Sequence, residues 1–167
     1  MKKLFLLFCF AVFAGTIVLY AVEPATNINP ARHPNLARAQ TLISDAYQRI
    51  LDAQKANEFD MKGHAKKAKI LLDEASKELK LAAVASNHDV GTAAHAAPPE
   101  NNPGESVGES KVPNLARAQL LIDAAYERII AAQKDNDFDM KGHAAKAKTF
   151  IEQASSELKL AAAAATH

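Results

Sequence analysis

The chain has 167 residues and carries 20 Lys and Arg against 19 Asp and Glu, a balance that leaves no electrostatic footprint for nucleic acid. Its one cysteine, Cys9, rules out an internal disulfide framework. Beyond residue 22 it is rich in Ala, Lys, Glu, Leu and Gln, all strong helix formers, and nothing there reads as a strand.

Residues 1–22 read as a signal peptide or an N-terminal membrane anchor. Lys2 and Lys3 precede an almost purely apolar run, Leu4 to Val22. Ala21 suits a cleavage point, whereas Leu19 two places earlier is larger than such a site prefers. Left uncleaved, the run is long enough to span a bilayer, which takes about 17–25 residues. Cys9 lies inside the run and not in a lipobox at its end. With the lysines staying inside, both readings deliver the rest of the chain across the membrane, to the periplasm or the medium. Residues 23–33 carry no apolar periodicity and are expected to be disordered.

From Pro34 the chain states one pattern twice. Pro34–Ala85 reappears without a gap as Pro113–Ala164, identical at 36 of 52 positions. Internal repetition of this length signals a duplicated supersecondary unit. In the first copy Leu36, Ala39, Ile43, Ala46, Ile50 and Ala53 recur at spacings of 3 and 4. Ala65, Ala68, Leu72, Ala75, Leu79 and Ala82 do so again, and the second copy repeats both seams. That spacing holds an apolar stripe on one helix face and suits left-handed bundle packing. Alternating alanine with a large aliphatic residue lets a neighbouring helix come close.

Asn57–Asp60 and Asn136–Asp139 interrupt the seams, and Asp60 and Asp139 are suited to cap the helix that follows. Pro34 and Pro113 fit the first turn of an opening helix. Phe59 and Met61, like Phe138 and Met140, are expected to plug the open end of each hairpin. A second apolar face includes Leu42, Tyr47, Leu51 and Leu81, matched by Leu121, Tyr126, Ile130 and Leu160. One hairpin of about 50 residues buries too little surface to stand alone comfortably. The predicted fold is therefore all-α: two tandem αα-hairpins, 34–86 and 113–167, packing as a four-helix bundle. Pairing between two chains is the alternative. Residues 87–112, rich in Pro and Gly, form a flexible linker able to reach either end of the bundle, so hairpin direction stays open.

Histidines are the only candidates for a site. His64 and His143 are equivalent, each following a glycine in the first turn of a second helix, with Asp60 and Asp139 four residues earlier. Imidazole with carboxylate makes a partial shell for Cu, Ni or Zn. Four ligands converge if the turns lie together, and not if the hairpins run turn to tail. The bland alternative is a solvent-facing histidine. FDMKGHA is identical in the two copies, but so are PNLARAQ and ELKLAA, which hold no evident ligand. His33, His88 and His167 gather near the other hairpin end, and His95 has no visible partner. Asp135, Asp137 and Asp139 start like a calcium loop, but Met140 stands where its glycine belongs and Lys146 where its glutamate belongs. Lys62, Lys66, Lys67 and Lys69 read as a solvated face, since Asp73 lies within i,i+4 reach of Lys69 and of Lys77. No nucleophile elbow, zinc-protease helix or phosphate-binding glycine loop is present, so no enzyme is expected.

The stretches GHAKKAKILLDEASKELK and GHAAKAKTFIEQASSELK resemble small exported bacterial helical-hairpin repeat proteins. More distantly, they are similar to the small metal-binding protein family of periplasmic four-helix bundles. That resemblance implies divalent-metal binding, copper included. The family carries histidines along its helices, whereas here only the Gly-His pairs match. The expectation is a non-enzymatic exported protein that binds or buffers a divalent metal weakly. The alternative is a structural or interaction module of the cell envelope without a metal. Its partners would be a metal, an envelope protein or a second copy, with the membrane engaged only through an uncleaved N-terminus.

Overall fold

The structure, a computed structural model, describes residues 22–57, 61–86, 112–136 and 140–165. The apolar N-terminal run up to Ala21, the linker 87–111, Phe59, Phe138, Asp60, Asp139, His88, His95 and His167 lie outside the described residues. Four helices make up most of the rest: α1 Pro34–Asn57, α2 His64–Ser86, α3 Pro113–Asp135 and α4 His143–Ala165. None of them is long and apolar enough to cross a membrane.

Proline starts α1 and α3. Its ring fixes a helical φ, and its missing N–H falls where the helix needs none. The carbonyls of His33 and Val112 then accept the first helical bonds, from Ala37 N at 2.9 Å and Ala116 N at 3.1 Å. At the far end of α3, the Asn136 side chain donates to the Ala132 carbonyl at 2.7 Å and its backbone N–H to the same oxygen at 3.2 Å.

The turn into each second helix is left-handed. Met61, Lys62 and Gly63 have φ of 48°, 56° and 83°, and Met140, Lys141 and Gly142 have 48°, 57° and 83°. A residue other than glycine costs roughly 1–2 kcal/mol there. Met61 and Met140 are each only 2% exposed. Burying a methionine side chain contributes about 1.5–3 kcal/mol, enough to offset its own backbone cost. The expected plug is therefore present at both methionines.

The four helices form an all-α bundle whose core is the two seams and their copies, every residue buried. Helix pairing departs from the simplest expectation. The closest pairs are α1 with α3 and α2 with α4, between repeats, while the two helices of one hairpin touch less extensively. Alanine at every second seam position explains how these partners come so close. The pairs run antiparallel, turn to tail. Asn35 at the start of α1 donates to Asp135 at the end of α3, 2.7 Å away. The Met61–Gly63 turn packs on α4, and Met140–Gly142 packs on α2. Of the second apolar face, Leu42, Leu121 and Tyr47 are buried, while Leu81 and Leu160 stay exposed.

Residues 23–33 correct the expectation of disorder. They run as a strap over the first repeat, with Pro24 and Ile28 buried. The Gln40 side-chain oxygen, itself buried, accepts from Asn27 N at 2.8 Å and Ile28 N at 3.0 Å. Ser76 donates to the Ala25 carbonyl at 2.9 Å, and Lys80 to the Asn27 carbonyl at 2.8 Å. A polar stretch thus becomes ordered by finding its backbone partners on the helices.

Candidate functional site

Each Gly-His turn is built from three parts: the left-handed turn, the first residue of the following helix, and a glutamate of the other repeat. His64 opens α2, and its Nδ1 lies 2.6 Å from Glu157 Oε2 on α4. His143 opens α4, and its Nδ1 lies 2.6 Å from Glu78 Oε2 on α2. In both pairs about a fifth of each side chain remains exposed, 21%/21% and 22%/17%. Lys67 Nζ stands 4.0 Å from the second oxygen of Glu157.

A carboxylate can only accept, so Nδ1 is the donor in each pair. In the neutral ring this leaves the lone pair on Nε2. The glutamate also does electrostatic work for the helix it faces. Neither α2 nor α4 has an acidic residue in its first turn. Glu157 and Glu78 supply that negative charge from the opposite repeat, where the helix dipole favours it.

The two histidines do not converge. Glu157, which holds His64, is fourteen residues along α4 from His143. At 1.5 Å per residue the two imidazoles are therefore about 20 Å apart. Metal–ligand bonds of about 2.0–2.3 Å cannot bridge that gap, so turn-to-tail packing removes the shared four-ligand arrangement. What stands at each end is one histidine and one glutamate, with Asp60 and Asp139 outside the described residues. Among the described residues, no group of three or more His, Cys, Asp or Glu side chains gathers as metal ligands do.

Glu78 and Glu157 are the site residues that sequence reasoning missed. Both lie in ELKLAA, identical in the two copies like the FDMKGHA run that meets it. The coincidence of two identical runs was the available signal. At the remaining candidates the side chains find structural uses. Lys69 lies over the Tyr47 ring, 5.5 Å from its centroid, and Lys148 over Tyr126 at 5.7 Å. Lys77 bonds Asp73 and Glu74, both at 2.8 Å, and these bonds push its pKa up to about 12. His33 is buried beside Ser86 Oγ at 3.3 Å, within the end of the first hairpin.

The chain matches no family model, no curated protein and no solved structure in the three comparisons made.

Proposed function

We propose that this chain is a non-enzymatic, exported helical bundle that serves the cell envelope as a structural or protein-interaction module. The observation that carries this reading is the reciprocal use of the two histidines. Each is bonded to a glutamate of the other repeat. On this reading the Gly-His turns are latches that hold two hairpins in one arrangement. The basic start and apolar run of residues 1–22 support export.

A second reading, weak divalent-metal binding, is favoured by one detail of the same pairs. A histidine whose Nδ1–H is held by a carboxylate keeps its Nε2 lone pair for another partner, the arrangement that commonly stands behind a metal-bound imidazole. Cu, Ni or Zn would then bind at two independent single-histidine sites, with Asp60 and Asp139 as candidate further ligands. Such sites are weak, because a closed zinc site takes about four protein ligands.

Calorimetric titration of the protein from Glu23 onward with Cu²⁺, Ni²⁺ and Zn²⁺ separates the two. The latch reading expects no binding tighter than about 1 mM, near −4 kcal/mol. Two equivalents bound more tightly, and lost in His64→Ala/His143→Ala, would replace it with the metal reading.

A further inference from the structure

Between the strap and the last turns of α2 lies a cavity of about 190 Å³. At roughly 30 Å³ per water molecule, that is the space of about six waters. Ile28 and Ala83, both buried, and the half-exposed Val84 give it apolar walls. Arg32 and Lys80 line it as well, and among the described residues no Asp or Glu does. Two positive charges thus stand beside an apolar hollow with no carboxylate of the protein to balance them.

The polar side chains at this cavity are donors. The Lys80 ammonium gives one N–H to the Asn27 carbonyl at 2.8 Å, which fixes it beside the strap and leaves two more. The guanidinium of Arg32, an exposed residue, makes no hydrogen bond or ion pair among the described residues. Asn29 commits its side-chain oxygen to Ala31 N at 2.9 Å, so its amide nitrogen is the group it has left to offer. A guanidinium offers a carboxylate two parallel N–H bonds, and such charge-assisted bonds are about twice as strong as neutral ones.

We propose that this cavity binds a small organic anion, a carboxylate carried on a short apolar chain. Arg32 and Lys80 take the carboxylate, and the chain lies against Ile28, Ala83 and Val84. Sites for drug-sized molecules run to about 300–1,000 Å³, so this smaller one suits a shorter ligand. Inorganic phosphate meets the same cations without using the walls, and an uncharged alcohol uses the walls alone. Because one side of the site is the strap and the other is α2, the ligand binds only while the strap is docked. Binding therefore stabilises the docked strap by mass action.

Titration of hexanoate into the chain from Glu23 onward, followed by NMR, tests the proposal. It should bind saturably with a Kd of about 1 mM, in keeping with so small a ligand. The amides of Arg32 and Val84 should shift most. At ten times Kd, the Asn27 and Ile28 amides that the strap bonds to Gln40 should exchange about elevenfold more slowly. Arg32→Ala, which leaves every helix residue in place, should weaken binding at least about tenfold. Val84→Asp, which sets a negative charge at the wall, should do the same with helical circular dichroism retained. No saturation by about 10 mM would overturn the proposal. Inorganic phosphate or hexanol binding as tightly as hexanoate would do so too, as would unchanged affinity in either variant or unslowed exchange at Asn27 and Ile28.

Discussion

Removing His64 and Glu157 singly and together should reveal a coupling of about 1.5 kcal/mol. A hydrogen bond to a charged group is worth about 1.5–3 kcal/mol net. The glutamate's further contribution of about 0.3–1 kcal/mol through the α2 helix dipole persists without the imidazole and so cancels in the coupling. Roughly a fifth of each side chain meets solvent, which screens the pair and places the coupling near the lower bound. Urea denaturation of His64→Ala, Glu157→Ala, the double variant and the parent gives the coupling directly. It cancels what Glu157 contributes through Lys67, 4.0 Å away. The molecule carries its own replicate, since His143→Ala with Glu78→Ala should return the same value. Lying about 20 Å apart, the two pairs should be additive to about 0.3–0.5 kcal/mol. A coupling below about 0.3 kcal/mol at both ends would mean that neither pair holds the hairpins together.

Two further outcomes follow from the turns and the tyrosines. Gly63→Ala and Gly142→Ala each place a Cβ at φ 83° and should destabilise by about 1–2 kcal/mol in the same denaturation assay. Tyr126 donates to Glu152 at 2.9 Å, a bond only the neutral phenol makes, and this, ahead of burial and the nearby charges of Glu152 and Glu127, raises its pKa above 10.0. The stability it contributes is therefore complete below pH 10.0 and lost as pH rises through the raised value. In the chain from Glu23 onward, whose only tyrosines are Tyr47 and Tyr126, ultraviolet titration of Glu152→Ala should show one ionisation moving back toward 10.0. That of Tyr47, raised first by its burial and then by Glu23 and Asp73, should hold its position.

The helices and their buried faces were legible because they are local. Spacings of 3 and 4 define a stripe wherever the chain turns as a helix, and every seam residue read that way is buried. Helix partnership was not legible, because a seam names the face and not its partner. Ala46 and Ala125 suit a neighbour within the hairpin as well as one across it, and the closest pairs turned out to lie across it. The strap was hidden for a different reason. Its order rests on backbone N–H groups meeting Gln40, and backbone groups leave no mark in a sequence. His64 and His143 were visible as residues, but Glu157 lies 93 positions from its histidine and Glu78 lies 65 from its own. Only hairpin direction decides whether such residues meet, and neither periodicity nor composition encodes direction.

Hairpin direction thus decides which residues of the two repeats meet. Spin labels at Lys62→Cys and Lys141→Cys, both exposed turn positions, measure it in the chain from Glu23 onward, which has no other cysteine. Turn-to-tail packing predicts a separation of about 20 Å or more, set by the rise along α2 and α4. A separation under about 10 Å, the distance between neighbouring helices, would mean that the turns lie side by side and would contradict it.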